Sequence, residues 1–201
     1  AWRWLLFPNR SGSIAIEPIR WQGEMIRSRT QRGRFERRVE PAPLAVDPAR
    51  TASGEWWLPA REVTLEESWS SDVRTLSAGD EIIRTITLVA EGVLARQLPT
   101  VVPLESRSIT STPLGERREQ TLIEERVTAT GTYTFRLHAR SPVPVFLDTV
   151  RVAWWDTDTR EADESIVPAR RINVGLPDRA DLLRDLALGE STATRLRLWM
   201  G

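Results

Sequence analysis

The chain has 201 residues, with 28 basic and 28 acidic side chains and so a formal charge of zero. That balance argues against a protein that coats itself in nucleic acid, and an apolar content of 40% argues against disorder. The absence of cysteine and the presence of one histidine, His138, exclude disulfide staples, thiolate chemistry and a multi-histidine metal centre.

The length allows one large domain or two small ones. Every basic residue is an arginine, which fits codon composition better than function. No apolar run approaches the ~20 residues of a membrane-spanning helix. No leader pattern opens the chain. Ala1 stands first and strand-like residues follow at once, so the sequence reads as an internal piece of a longer protein. Any leader or anchor would then lie outside it.

Period-two alternation dominates from the start, as expected for side chains that point to opposite faces of a sheet. The first strand candidates are 13–21 and 36–46. Between them the run 27–38 carries Arg27, Arg29, Arg32, Arg34, Arg37 and Arg38 against Glu36 alone. It reads as a solvated loop that could also attract an acidic partner or anionic headgroups. Residues 47–54 (DPARTASG) have linker composition. In 61–69, Val63, Leu65 and Trp69 share a face and Glu67 breaks the pattern. In 82–90, Ile82, Ile86, Leu88 and Ala90 share a face and Arg84 interrupts it. Ser77-Ala78-Gly79-Asp80 reads as the turn before that strand.

Further strands are expected over 120–128, 132–138, 145–154 and 165–174. Thr130-Gly131 is expected to be a tight reversal between the first two. Tyr133, Phe135 and Leu137 then take one face, and Arg136 and His138 the other. Asp156-Thr157-Asp158-Thr159 is expected to begin another hairpin. The one helix candidate is 177–188, with Pro177 in its first turn, Asp178 and Asp181 near its start, a stripe of Leu182, Leu183 and Leu186, and Gly189 as its stop.

A faint internal repeat runs through the chain. Segment 10–20 (RSGSIAIEPIR) resembles 140–151 (RSPVPVFLDTVR), and 41–46 (PAPLAV) resembles 168–174 (PARRINV). Short strands, frequent turns and little helix point to all-β, immunoglobulin-like antiparallel β-sandwich domains with a short C-terminal helix. Residues 1–48 read as the closing strands of a truncated domain, 49–54 as a linker, 55–175 as a complete sandwich and 176–201 as a helical tail or connector.

The chemical inventory is thin. There is no phosphate-cradling glycine loop, Gly-x-Ser-x-Gly elbow or His-Glu-x-x-His motif. Accordingly no catalytic residue, cofactor or metal ligand set is expected. His138 falls on a polar strand face and reads as an ordinary surface histidine. Asp156, Asp158, Glu161, Asp163 and Glu164 could offer oxygen ligands to calcium, although hairpin-stabilising side chains explain them better. The nine tryptophans include two adjacent pairs, Trp56-Trp57 and Trp154-Trp155. Within a strand, one ring of each pair points in and the other out, and an outward indole is a natural contact anchor. The expected partner-binding set is therefore Trp56, Trp57, Trp154, Trp155, Arg29, Arg32 and Arg34. The residues alone support a non-enzymatic β module, with a carbohydrate- or calcium-binding sandwich as the alternative.

Several strings resemble, in content and order, the BatD family of bacterial oxygen-tolerance proteins. They are 58–69 (LPAREVTLEESW), 81–99 (EIIRTITLVAEGVLARQLP), 115–137 (GERREQTLIEERVTATGTYTFRL), 150–159 (VRVAWWDTDT) and 166–174 (IVPARRINV). The string 6–23 resembles the end of that family's preceding domain, and the tail 176–201 has no counterpart. The resemblance implies periplasmic immunoglobulin-like domains in a protein anchored to the inner membrane by a span outside this chain. It implies partners among other Bat-operon proteins with von Willebrand A-type domains and a role in aerotolerance and stress resistance; the balanced charge, for its part, leads us to expect no nucleic-acid partner. It carries over no catalytic residue.

Overall fold

The structure is a computed structural model that describes residues 5–26, 28–29, 31–50, 56–102 and 108–176. The helix expected over 177–188, most of the linker and nearly all of the expected tail lie outside the described residues. Two units divide the chain, Ala1–Glu55 and Trp56–Gly201. Among the described residues the protein is all-β apart from two 3₁₀ turns, Val73–Thr75 and Ala95–Gln97.

In the first unit, β1 (Gly12–Ile14) pairs antiparallel with β4 (Leu44–Val46), and β2 (Ile19–Ile26) with β3 (Arg32–Val39). The arginine-rich run is therefore mostly strand, not the loop expected from its charge. Gly33, Phe35 and Val39 share one face with Arg37, and the register sets Val39 against Ile19, Arg37 against Trp21 and Phe35 against Gly23. The Phe35 ring lies over Gly23 so closely that a Cβ there would sit 2.7 Å from it. Arg32, Arg34 and Arg38 take the other face, opposite Ile26, Glu24 and Arg20. The expected strands 13–21 and 36–46 are each interrupted, around Pro18 and around Pro41–Pro43, where no amide hydrogen is available for a ladder.

The second unit is built on a four-stranded antiparallel sheet in the order β6-β7-β9-β8. Its strands are β6 (Glu62–Trp69), β7 (Glu81–Glu91), β8 (Ile109–Ile123) and β9 (Arg126–Ala139). A second sheet joins β12 (Glu161–Val167), β11 (Val150–Asp156) and the short β5 (Pro59–Ala60), and β10 (Val145–Leu147) pairs with β13 (Arg170–Ile172). Ile82, Ile86, Leu88, Tyr133 and Leu137 from the large sheet share one core with Val145, Leu147, Val152 and Ile172 from the others. Burying each such aliphatic side chain contributes about 1.5–3 kcal/mol.

Thr130-Gly131 is not a reversal. β9 runs straight through it, and the chain turns at Glu124-Glu125, whose φ angles are 48° and 69°. Two successive residues at positive φ make the hairpin turn that suits strand twist, normally with Asn or Gly. Glutamate gives no sequence signal for it. Gly131 is instead a bed for Tyr133, since a Cβ at 131 would lie 2.8 Å from the tyrosine oxygen. The ring folds over the glycine and its hydroxyl donates to the Pro99 carbonyl, fastening the 92–102 segment over the core. Burial pushes the Tyr133 phenol above its ordinary range. The edge strand β8 carries a bulge between Pro113 and Gly115, where a missing amide hydrogen is tolerated.

The two breaks in the apolar pattern are one interaction. Trp69 pairs in register with Arg84 and Glu67 with Ile86, so Glu67 and Arg84 are diagonal neighbours on the core face. Arg84 Nε donates to Glu67 Oε1 at 2.8 Å, and Nη2 reaches the same oxygen at 2.8 Å. Both side chains are 6% exposed. The Arg84 guanidinium also lies 5.7 Å from the Trp69 ring centroid, and Arg170 Nη2 is 3.5 Å from Glu67 Oε2.

Removing one member of a buried pair leaves an uncompensated charge, whereas replacing both with apolar groups is often neutral. Arg84→Met should therefore destabilise the chain by about 3–5 kcal/mol, with R84M/E67M recovering most of that loss. Urea denaturation checks this; a double variant no more stable than the single would contradict it. In the first unit, Ile19, Trp21, Met25, Phe35 and Val39 line one hairpin face and are 36–53% exposed. The chain should self-associate as concentration rises, and Trp21→Thr with Met25→Thr should reduce this. Light scattering from a monomer at every concentration would refute it.

Candidate functional site

β5 is only two residues long, yet it places the site. It runs parallel to β11, with Pro59 against Trp155 and Ala60 against Asp156. The Trp155 amide donates to the Leu58 carbonyl at 2.9 Å, and the Thr157 amide to the Ala60 carbonyl at 2.9 Å. Arg61 closes the clamp on Asp158 at 3.1 Å. This pairing brings Trp57 beside Trp155 although 97 residues separate them in sequence. Their ring centroids lie 5.8 Å apart at an interplanar angle of 35°, within the range for favourable offset contact.

Alternation sorts the neighbours. Trp154 packs against the core, and its indole nitrogen is buried without a hydrogen-bond partner among the described residues. Trp155 takes the other face with Ala153, opposite Ala162 on β12. Both alanines are exposed and too small to cover the indole. Farther along this face stand the exposed Ile166 and the Arg151–Glu164 ion pair at 2.8 Å. Trp56 is 54% exposed and donates from its ring to the Gln97 carbonyl at 2.8 Å. The surface thus offers a fixed, partly open aromatic stack with small residues and one ion pair around it.

The other expected contact residues belong to the first unit. Arg29 lies in a turn closed by mutual Ser28 and Gln31 backbone hydrogen bonds of 3.3 and 3.4 Å. Arg32 and Arg34 are exposed on the charged hairpin face, Arg34 lying 3.9 Å from Glu24. The expected set therefore divides: Trp57 and Trp155 meet, Trp154 is structural, and the three arginines belong to the other unit.

His138 sits on the outer face of the large sheet, between Glu81 on β7 and Thr110 on β8. Its Nδ1 and the Thr110 hydroxyl are buried without partners among the described residues. The nearest acid in register, Glu81, lies 3.6 Å from Arg136. Of the acidic group at 156–164, Asp156 and Asp158 are committed to structure. Asp156 accepts from the Asp158 and Thr159 amides at 2.7 and 3.1 Å, and Asp158 pairs with Arg61. Among the described residues no group of three or more His, Cys, Asp or Glu is placed to hold a metal ion.

Two features escaped sequence reasoning. Nothing in the chain announces that β5 runs parallel to β11. Glu67 and Arg84 are visible only as interruptions, and their opposite charge on neighbouring strands was the available signal. No family model, curated protein or solved structure matches the chain.

Hydrogen bonds from the Thr159 and Asp158 amides hold the Asp156 carboxyl below the usual carboxylate range. A depressed folded-state value stabilises the turn above the unfolded value of about 3.9 and is lost as pH falls through the folded one. The Asp158 and Thr159 amide resonances should therefore titrate together, with a midpoint below about 3.9, and Asp156→Ala should abolish the step. A midpoint at or above that value would contradict the assignment.

Proposed function

We propose that the chain is a non-enzymatic protein-interaction module of a BatD-like envelope protein acting in oxygen tolerance and stress resistance. In this reading the parent protein is attached to the inner membrane and the module faces the bacterial periplasm. Residues 1–48 are the closing strands of one immunoglobulin-like domain and 55–175 a complete one. The core shared between the four-stranded sheet and strands β10, β11 and β13 supports the sandwich reading. The ordered strings from 58 to 174 support the family reading.

The observation that carries the function is the Trp57–Trp155 stack on a face edged by alanines. Tryptophan concentrates binding energy at interfaces, because a rigid aromatic body buries large area at little entropic cost. The pair is already ordered by the β5–β11 clamp, so partner binding need not organise it. The partners proposed are other Bat proteins with von Willebrand A-type domains. A flat indole platform also suits a sugar ring, which keeps a carbohydrate-binding module as the second reading.

Affinity capture with the full-length parent from solubilised membranes should recover a von Willebrand-type partner. Trp57→Ala with Trp155→Ala should reduce that recovery about tenfold or more, while a Trp56→Ala control has a smaller effect. Recovery unchanged by the double substitution would remove this face from the interaction. A calorimetric isotherm with envelope glycans, lost in the same double variant, would favour the carbohydrate reading instead.

A further inference from the structure

A second site adjoins the far end of the tryptophan face, with which it shares Arg151. Between the 99–102 segment and the turn that joins β10 to β11 is a pocket of about 360 Å³. Val101, Val150 and Val152 give it apolar walls, and Arg84 lines it together with Thr149. Five of its ten lining residues are apolar and five are polar or charged, so apolar walls stand beside groups able to fix a ligand's orientation.

Arg84 is what makes the pocket selective. Its side chain is 6% exposed, and its Nε and Nη2 are both directed at one oxygen of Glu67. No hydrogen bond joins its Nη1 to another described residue. Glu67 is shared with Arg170, so two guanidinium groups attend one carboxylate in this network. Inside the core Arg84 and Glu67 balance in charge, the half-exposed Arg170 adds a second cation at Glu67, and the ion pair holds the planar Arg84 donor in a fixed orientation. Guanidinium donors placed this way recognise carboxylates. We infer that this pocket binds a monocarboxylate carried on a small apolar body, with Arg84 as the group that recognises the anion.

The surroundings narrow the ligand. Asp148 stands in the lining and no ion pair joins it to Arg84, so a second negative charge on the ligand would face repulsion. Arg151, also in the lining, is paired with Glu164 at 2.8 Å and is not needed for the anion. The 99–102 wall is held in place from beneath, because Tyr133 donates to the Pro99 carbonyl and Arg118 to the Thr100 hydroxyl at 3.1 Å. The ligand enters an existing recess with its carboxylate toward Arg84 and its apolar body against the valines. A free branched-chain acid and the C-terminus of a peptide with an apolar last residue share this chemistry.

The test uses the full chain and follows the Arg84 Nε–Hε resonance and the Val101 and Thr149 amides by NMR. The probes are 4-methylpentanoate and N-acetyl-valyl-leucine, each compared with its amide. The acids should give saturable shifts at these groups and bind about tenfold or more tighter than the amides. Saturation by the free acid alone identifies a small-molecule site, and saturation by the peptide acid alone identifies a peptide terminus. R84M/E67M, which keeps the core neutral, should abolish the response. Thr149→Trp, which narrows the pocket and leaves the ion pair untouched, should abolish it too. Equal response to acids and amides, shifts confined to exposed arginines such as Arg151, or binding that survives both variants would overturn the proposal.

Discussion

A buried ion pair organises the core of the second unit. Arg84 and Glu67 lie on adjacent strands, on the face that otherwise carries only apolar side chains. Desolvating two charges is expensive, and the cost is offset only by good geometry and by partners for the remaining polar atoms. Trp69 lies against one side of the guanidinium, and Arg170 reaches toward the second carboxylate oxygen from β13. The network therefore links the four-stranded sheet to the β10–β13 pair through charge as well as packing. It also constrains register, because a one-residue slip of β6 along β7 would send Glu67 to solvent and leave Arg84 buried alone.

The same geometry determines which surfaces are available. Tyr133 folds over Gly131 and holds the 92–102 segment by its Pro99 carbonyl, giving the acid pocket one wall. β5 fastens the start of the unit to β11, and that contact assembles the aromatic face. Both candidate sites are built from strand positions or from loops tied to strands, so each is rigid before any ligand arrives. The first unit contrasts with this. Its described residues contribute nothing to the buried core, and its hairpin presents one face that is apolar except for Arg37 and one that is arginine-rich.

Much of the strand content is legible in the residues. Alternation identifies β6, β7 and the second half of β9, and it assigns their faces correctly except where charge intrudes. Besides the strands broken at prolines, the reading fails in three places for three reasons. Charge density in 27–38 hides an alternation of Gly33, Phe35 and Val39, so a strand resembles a loop. Gly131 imitates a turn residue because a glycine that admits an aromatic ring looks the same in sequence as one that reverses the chain. Glu124-Glu125 reverses the chain without the residue types that favour positive φ.

Of the aromatic site, the two tryptophan pairs and the opposed directions within Trp154-Trp155 can be read from the chain, because side-chain alternation is a local property of extended backbone. That Trp57 meets Trp155, that Glu67 meets Arg84, and that Arg84 borders a pocket cannot be read this way. Those contacts depend on which strands become neighbours and in what register, and hydrogen-bonded pairing joins segments many residues apart. Local periodicity was enough to establish a β-rich protein and the face on which most side chains stand. Long-range strand pairing alone chose which of those faces became core, contact surface or pocket.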